Sequence, residues 1–586
     1  MWMKSDGLER QAWSAAMLCI IAAVVCASGC KKKEQPTEEK ATGGIKLPSE
    51  AAALGPDAVA RVHWAGKKRV AGDPNSSALM SIWKMPESER VLAQTLDKLA
   101  IAPWHPWTTN SAPITNYSEL VSNLAPASSL RPLLDDLVQE ESYLEIRKPA
   151  GQSAEIVLAV RLANQRAALW ASNLATITTS HQWPFAGSIE SFRSGDWTFV
   201  GLLQDPKSTN ALLGEWRTRA AAGNFHPPTS GGATNSWLET DLDLKGLSDV
   251  FALDWKLPQN SPKISIAING EGGNVHTKAR CNFPEPLRIV LDEWTVPTNV
   301  MHDPLTSFTA IRGIGTWLGS LKAWNDWQMG PAPNQVYFWA QGSMPVLTYC
   351  AAAVPDPASE VRRVTELLME KANLYLTTNG MGTLEPKTNT PGMAWMGVPF
   401  ATPFIESTVP SGGGFILGGL NPIAGNTNLE APASLLAQFS GRTNLVYYNW
   451  ELTGQRLQSL LYISQLFRMV CGKAQLTTNE ATIGWLKSAP ALFGNSATMG
   501  AQTGPNQLSF TRVSTVGLTG AEIHLLADWL ESPHFPSGLY TFLTPPPSPH
   551  QRQRPPRTPR PPGAATNVAP GAVLPLTPTP AQPTKP

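Results

Sequence analysis

Proline and glycine, 52 and 46 residues, together occupy about one position in six of this 586-residue chain. Breakers at that density leave room for short strands and modest helices but not for long uninterrupted ones. Alternation such as Ile264-Ile266-Ile268 marks half-buried strands, and short turn-rich connections favour antiparallel hairpins. Ser359 to Leu374 instead places Val361, Val364, Leu367 and Leu368 on one helical stripe. The pattern predicts an α+β fold in which helices pack on one face of an antiparallel sheet. A hydrophobic content of 42% is enough for a sizeable core. A formal net charge of +1 argues against a dedicated nucleic-acid binder, which needs a surplus of cations to displace counterions from phosphates.

The same order of segments occurs twice. The strand beginning at Asp57 has a counterpart at Asp303, each running into a glycine. Tyr143 opens a strand, a turn at Gly151, a second strand and a helix start, and Tyr337 opens the same series around Gly342. Asn164 and Asp356 are expected as helix N-caps, with Pro357 at the first helical position. WLETDLDLKGLS from Trp237 aligns without gaps to LVYYNWELTGQR from Leu445, and each copy later closes on a Trp, Trp294 or Trp529. These matches predict two tandem pseudo-repeats, 51–298 and 299–533, whose two sheets abut around a groove. Only the first carries an extra helical stretch, Ser76 to Leu99 and Leu130 to Glu141.

The two ends are of a different nature. Lys4 and Arg10 precede an apolar stretch from Ala12 to Cys26, too short to span a bilayer but of signal-peptide length. It leads into Ala27-Ser28-Gly29-Cys30, which resembles the lipobox of bacterial lipoproteins. The resemblance covers this segment alone, and Ala27 stands where the family prefers Leu. It implies cleavage of a signal peptide, 1–29, and acylation of Cys30, palmitate included. It further implies a membrane held through a lipid anchor and, with Lys31 following the cysteine, sorting to the outer membrane of the cell envelope. Residues 30–50 are charged and poor in hydrophobics, a flexible tether with a reach of about 25 Å. Residues 534–586 form a disordered basic tail. From Pro545 it holds 15 prolines, Arg552, Arg554, Arg557, Arg560 and Lys585, and no acid.

Catalytic and metal motifs are incomplete. Gly313-x-Gly315 lacks the third glycine of a dinucleotide loop at the right place. Ser81-x-x-Lys84 and Tyr447-Tyr448-Asn449 match two elements of penicillin-recognising enzymes, but Lys487-Ser488-Ala489 lacks the glycine of the third. Asp241 and Asp243 share one strand face, as do Asn449 and Glu451, and such oxygens are weak candidates for a hard cation. Trp104 and Trp107, in a Pro-rich stretch, are weak candidates for stacking on a glycan. Cys281, Cys350 and Cys471 match no zinc spacing and read as buried thiols. The sequence expectation is a non-catalytic envelope lipoprotein with a binding or scaffolding role and no cofactor, facing an envelope protein or glycan partner. An envelope hydrolase and a glycan-binding surface protein are the alternatives.

Overall fold

A computed structural model describes residues 57–104, 116–179, 189–203, 209–223, 236–251, 257–326, 330–408, 414–423, 433–470, 481–531 and 535–536, a few single positions excepted. The signal peptide, Cys30, the tether, Trp107, Cys471 and the Pro-rich tail lie outside the described residues. Among the described residues no helix is long and apolar enough to cross a membrane.

Strands β1 (Ala58–Trp64), β2 (Ser142–Arg147), β3 (Glu155–Arg161), β4 (Ile189–Ser194), β5 (Trp197–Leu203), β6 (Leu238–Asp243), β7 (Lys263–Glu271) and β8 (Asn274–Asn282) come from the first half. The second half supplies β9 (Leu305–Arg312), β10 (Gln335–Gln341), β11 (Thr348–Ala353), β12 (Thr383–Pro386) and β13 (Gly392–Met396). It continues with β14 (Phe404–Ser407), β15 (Phe415–Gly419), β16 (Leu445–Leu452), β17 (Asn495–Gly504) and β18 (Gln507–Ser514). All pairings are antiparallel, and they join every strand into one sheet. The expected pair of abutting sheets is therefore a single sheet, because β8 and β18 pair along their whole length, from Val275–Ser514 to Asn282–Gln507.

From that central pair the first half runs outward as β8-β7-β6-β1-β2-β3-β5-β4. The second runs outward as β18-β17-β16-β9-β10-β11-β15-β14, followed by β13 and β12. Tyr143 faces His63 as Tyr337 faces Ala310, and both tyrosines are fully buried. Gly151 and Gly342, at matching turns, have φ of 72° and 60°, a region that costs glycine little and other residues more.

Two expected matches do not hold. The gapless alignment of Trp237 with Leu445 is out by one residue, since Thr240 faces Val62 while Asn449, not Tyr448, faces Thr309. A strand alternates its side chains, so that slip places Asp241 and Asn449 on opposite faces of the sheet. Trp529 closes the helix Gly520–Leu530, whereas 283–297 contains neither helix nor strand. The extra helices of the first half are Ser77–Trp83, Pro86–Ile101 and Ala125–Gln139. Asp356 caps the helix Pro357–Lys371 by accepting from the Ser359 N–H at 3.1 Å. Asn164 is instead the first residue of its own helix, where it accepts from Arg193.

Helices cover both faces rather than one. Leu144, Ile146, Ile156 and Leu158 pack under the helices inserted between β1 and β2. On the opposite face Tyr143, Val157 and Phe199 pack against Leu212, Leu213 and Trp216 of the helix Ala211–Ala221. Ala433–Phe439 lies on the same face in the second half but over other strands, setting Leu435 and Phe439 against Phe308 of β9 and Tyr448 of β16. β3 and β5 are thus covered on two sides, which explains their near-continuous apolar runs, whereas β4 and β7 stay partly exposed.

Candidate functional site

A cavity of about 510 Å³ lies over the middle of the sheet, where the two halves meet. Its floor follows the ladders from β1 across β6, β7, β8, β18 and β17 to β16. Val516, Gly517 and Leu518, which lead into the helix Gly520–Leu530, close one side.

The chemistry of this floor changes across the central strand pair. From the first half come the apolar Val62, Leu238, Leu242, Ile266, Ile268, Val275 and Ala279, with Thr240 and Thr277 its polar members. The second half contributes Tyr447, Thr498, Arg512 and Glu522, with Phe510 its one large apolar group on the floor. Positions with the same place in the ladders differ in kind. Ile266 faces Thr240 as Thr498 faces Asn449, and Ala279 faces Ile266 as Arg512 faces Thr498. The cavity is therefore amphipathic, with a hydrocarbon-like end and a polar end.

Arg512 organises the polar end. Its Nη1 donates to Glu522 Oε2 at 2.6 Å and its Nη2 to Glu522 Oε1 at 2.8 Å, a bidentate geometry that fixes both planes. Its Nε donates to Thr498 Oγ1 at 2.8 Å, and Nη1 also to the Gly517 carbonyl at 2.9 Å. Glu522 is held a second time, as the acidic partner of a capping box with Thr519 at the start of Gly520–Leu530. Burial pushes the Tyr447 phenol up to about 12, against the pull of nearby Arg512. Gly500 leaves room for the rings of this wall, since a Cβ there would stand 2.5 Å from Phe510 and 3.1 Å from the Tyr447 Cβ.

Among the described residues, Thr277 Oγ1, Asn449 Nδ2 and Ser496 Oγ on this face have no hydrogen-bond partner in the protein. Thr277 Oγ1 belongs to the cavity wall, and Asn449 Nδ2 belongs to a side chain 5% exposed between Thr309 and Thr498. Asn449 Oδ1 accepts from Thr309 Oγ1 at 2.7 Å, so only its amide protons stay unsatisfied. Unpaired buried donors cost free energy, and a site that presents them suits a ligand with acceptor oxygens.

The residues singled out in the sequence are dispersed. Asp241 is buried on the face opposite the cavity, across from Arg61. Asp243 accepts from the Gly246 N–H and pairs with Lys263 at 3.6 Å, and so serves the turn into Leu244–Phe251. Glu451 is on the cavity face and accepts from the Gly520 N–H at 2.6 Å. Burial raises its carboxyl, opposed by that N–H and by Arg456. Among the described residues no cluster of three or more His, Cys, Asp or Glu side chains is placed to hold a metal ion. Trp104 packs its ring against the first-half core, and Ser81 sits half-buried in Ser77–Trp83. Neither belongs to the cavity wall.

A second polar group, on the opposite face, is stabilised within itself. Glu145, 1% exposed, accepts from Arg147 at 2.8 Å and Arg61 at 3.3 Å, while Arg147 also binds Glu215 of Ala211–Ala221. His63 Nε2 lies 3.0 Å from Glu141. These ion pairs tie a helix to the sheet under cover and leave the cavity as the chemically open feature. Sequence reading missed Tyr447, Arg512 and Glu522 as a site. The available signal was that the strand positions of the second half are polar where those of the first are Ile, Leu or Ala. Comparison with protein-family models, with curated proteins and with solved structures finds no match for this chain.

Proposed function

We propose that this chain is a lipid-anchored envelope protein that binds, without transforming, an amphipathic small molecule in the cavity over its central strands. The amphipathic floor carries this reading: aliphatic side chains at one end, and Arg512, Thr498, Tyr447 and Glu522 at the other. Its volume falls in the range of ligand-binding cavities, roughly 300–1,000 Å³. The envelope address rests on the lipobox at Cys30 and the tether behind it, and outer-membrane sorting rests on Lys31.

The body is a fused duplication, 51–298 and 299–533, in this reading. The supporting observations are the equal order of strands outward from β8–β18, the matched Tyr143 and Tyr337, and a helix on the same face in each half, Ala211–Ala221 and Ala433–Phe439. After such a duplication each half can diverge, which accounts for an apolar floor in one and a polar floor in the other.

The test has two parts. Native mass spectrometry of the isolated protein is expected to detect a co-purified small amphiphile, and Ala279→Trp, which fills the floor, to abolish it. Equal loading of both proteins would refute the cavity as the site. For the address, Cys30→Ser is expected to shift the chain from the membrane fraction to the soluble one; unchanged fractionation would overturn the anchor.

A further inference from the structure

Charge balance selects among the amphiphiles this cavity would accept, and the inference rests on the binding role just proposed. Arg512 and Glu522 are the charged residues among the described ones in the cavity wall, and they are spent on each other through two hydrogen bonds. Two further donations from Arg512, to Thr498 and to the Gly517 carbonyl, leave the guanidinium little capacity for another acceptor. An ionised head group entering this end would find no uncompensated countercharge, and burying an unpaired ion beside aliphatic walls is strongly unfavourable. An anion approaching the one remaining N–H of Arg512 Nη2 would lie beside the Glu522 carboxylate, which the capping box holds in place.

Neutral hydrogen-bonding capacity, by contrast, remains. Thr277 Oγ1, in the cavity wall, has no protein partner, and Asn449 Nδ2, on the same sheet face beyond that wall, has none either. The Tyr447 phenol, held in its protonated form by burial, adds a hydroxyl on the same wall. We infer that the ligand is an uncharged amphiphile, a hydrocarbon chain ending in a hydroxyl or ester head, and that the Arg512–Glu522 pair excludes the corresponding carboxylate. Glu522 is then a specificity-determining residue that works by neutralising Arg512 in advance.

The test is displacement of the neutral fluorophore N-phenyl-1-naphthylamine from the full-length chain at about pH 8. Competitors of one chain length are used: 1-dodecanol, monolaurin and laurate. The two neutral competitors are expected to act at concentrations at least tenfold below laurate. Glu522→Gln keeps a residue able to complete the capping box but leaves Arg512 uncompensated, so laurate is expected to gain at least tenfold relative to 1-dodecanol. Laurate equal to or better than the neutral pair on the unsubstituted chain would overturn the inference, as would an unchanged preference in Glu522→Gln. Failure of the fluorophore itself to bind would instead overturn the cavity reading beneath it.

Discussion

Lys98 Nζ lies 3.3 Å from Glu531 Oε2, a carboxylate 433 residues further along the chain; the lysine is buried and the glutamate partly so. The lysine belongs to Pro86–Ile101 of the first half and also donates to the Leu530 carbonyl; the glutamate stands at the end of Gly520–Leu530. Glu531 accepts in turn from the Thr482 N–H at 3.2 Å. Around it Leu486, Val516, Ile523 and Ala527 pack with Ile82 of the first half. The helices are thus interlocked across the same midline that β8 and β18 cross in the sheet.

Lys98→Ala leaves the partly buried Glu531 without its cation, a change that costs about 3–5 kcal/mol. The urea midpoint of the variant is expected to fall accordingly, with one transition for the unsubstituted chain. A midpoint equal to that of the parent would show the pair to be dispensable.

Gly500→Ala places a Cβ against Phe510 and Tyr447, and the rings must yield toward the cavity. The expected cost is about 1–3 kcal/mol of stability, as for overpacking in other cores, together with weaker binding of a hydrophobic fluorophore. Undiminished affinity would mean that these rings do not border the bound molecule.

Glu451 has its carboxyl raised above the ordinary 4.5 by burial, with Gly520 N–H and Arg456 acting in the other direction. The folded state therefore holds this proton more tightly than the unfolded chain does. Its contribution to stability is full below about pH 4 and is lost as pH rises through the folded value. Glu451→Gln removes that dependence. Its stability relative to the parent is expected to rise between about pH 4 and about pH 7 and to stay level below that. Parallel urea midpoints across this range would refute the assignment.

Cys281 and Cys350 are both free thiols raised by burial. A thiolate is the reactive form, so both are expected to resist iodoacetamide at about pH 8 in the folded protein and to react fully in denaturant. Peptide mapping after a short exposure gives the answer, and native labelling at either site would contradict it.

Local chemistry was legible residue by residue. The alternation at Ile264, Ile266 and Ile268 located a strand, Asp356 and Pro357 located a helix start, and Gly151 and Gly342 located turns that need positive φ. Tyr143 and Tyr337 were legible as strand residues, each followed by a glycine turn and a second strand. The match of Trp237 to Leu445 was legible only to within one residue. That single slip mattered, because a strand exchanges its faces at every step, and Asp241, aligned with Asn449, lies on the opposite face of the sheet.

What the amino-acid order determined by itself was the inventory: short amphipathic strands, capped helices and glycine turns, each set by interactions within a few residues. Only the tertiary structure decided that β8 and β18 would fuse the halves into one sheet and that helices would cover both faces. It also decided that Ile266 and Ala279 would meet Arg512 and Glu522 across one cavity. Backbone donors and acceptors are alike in every strand, so which edge joins which depends on the burial gained by the whole assembly, a quantity no local window contains.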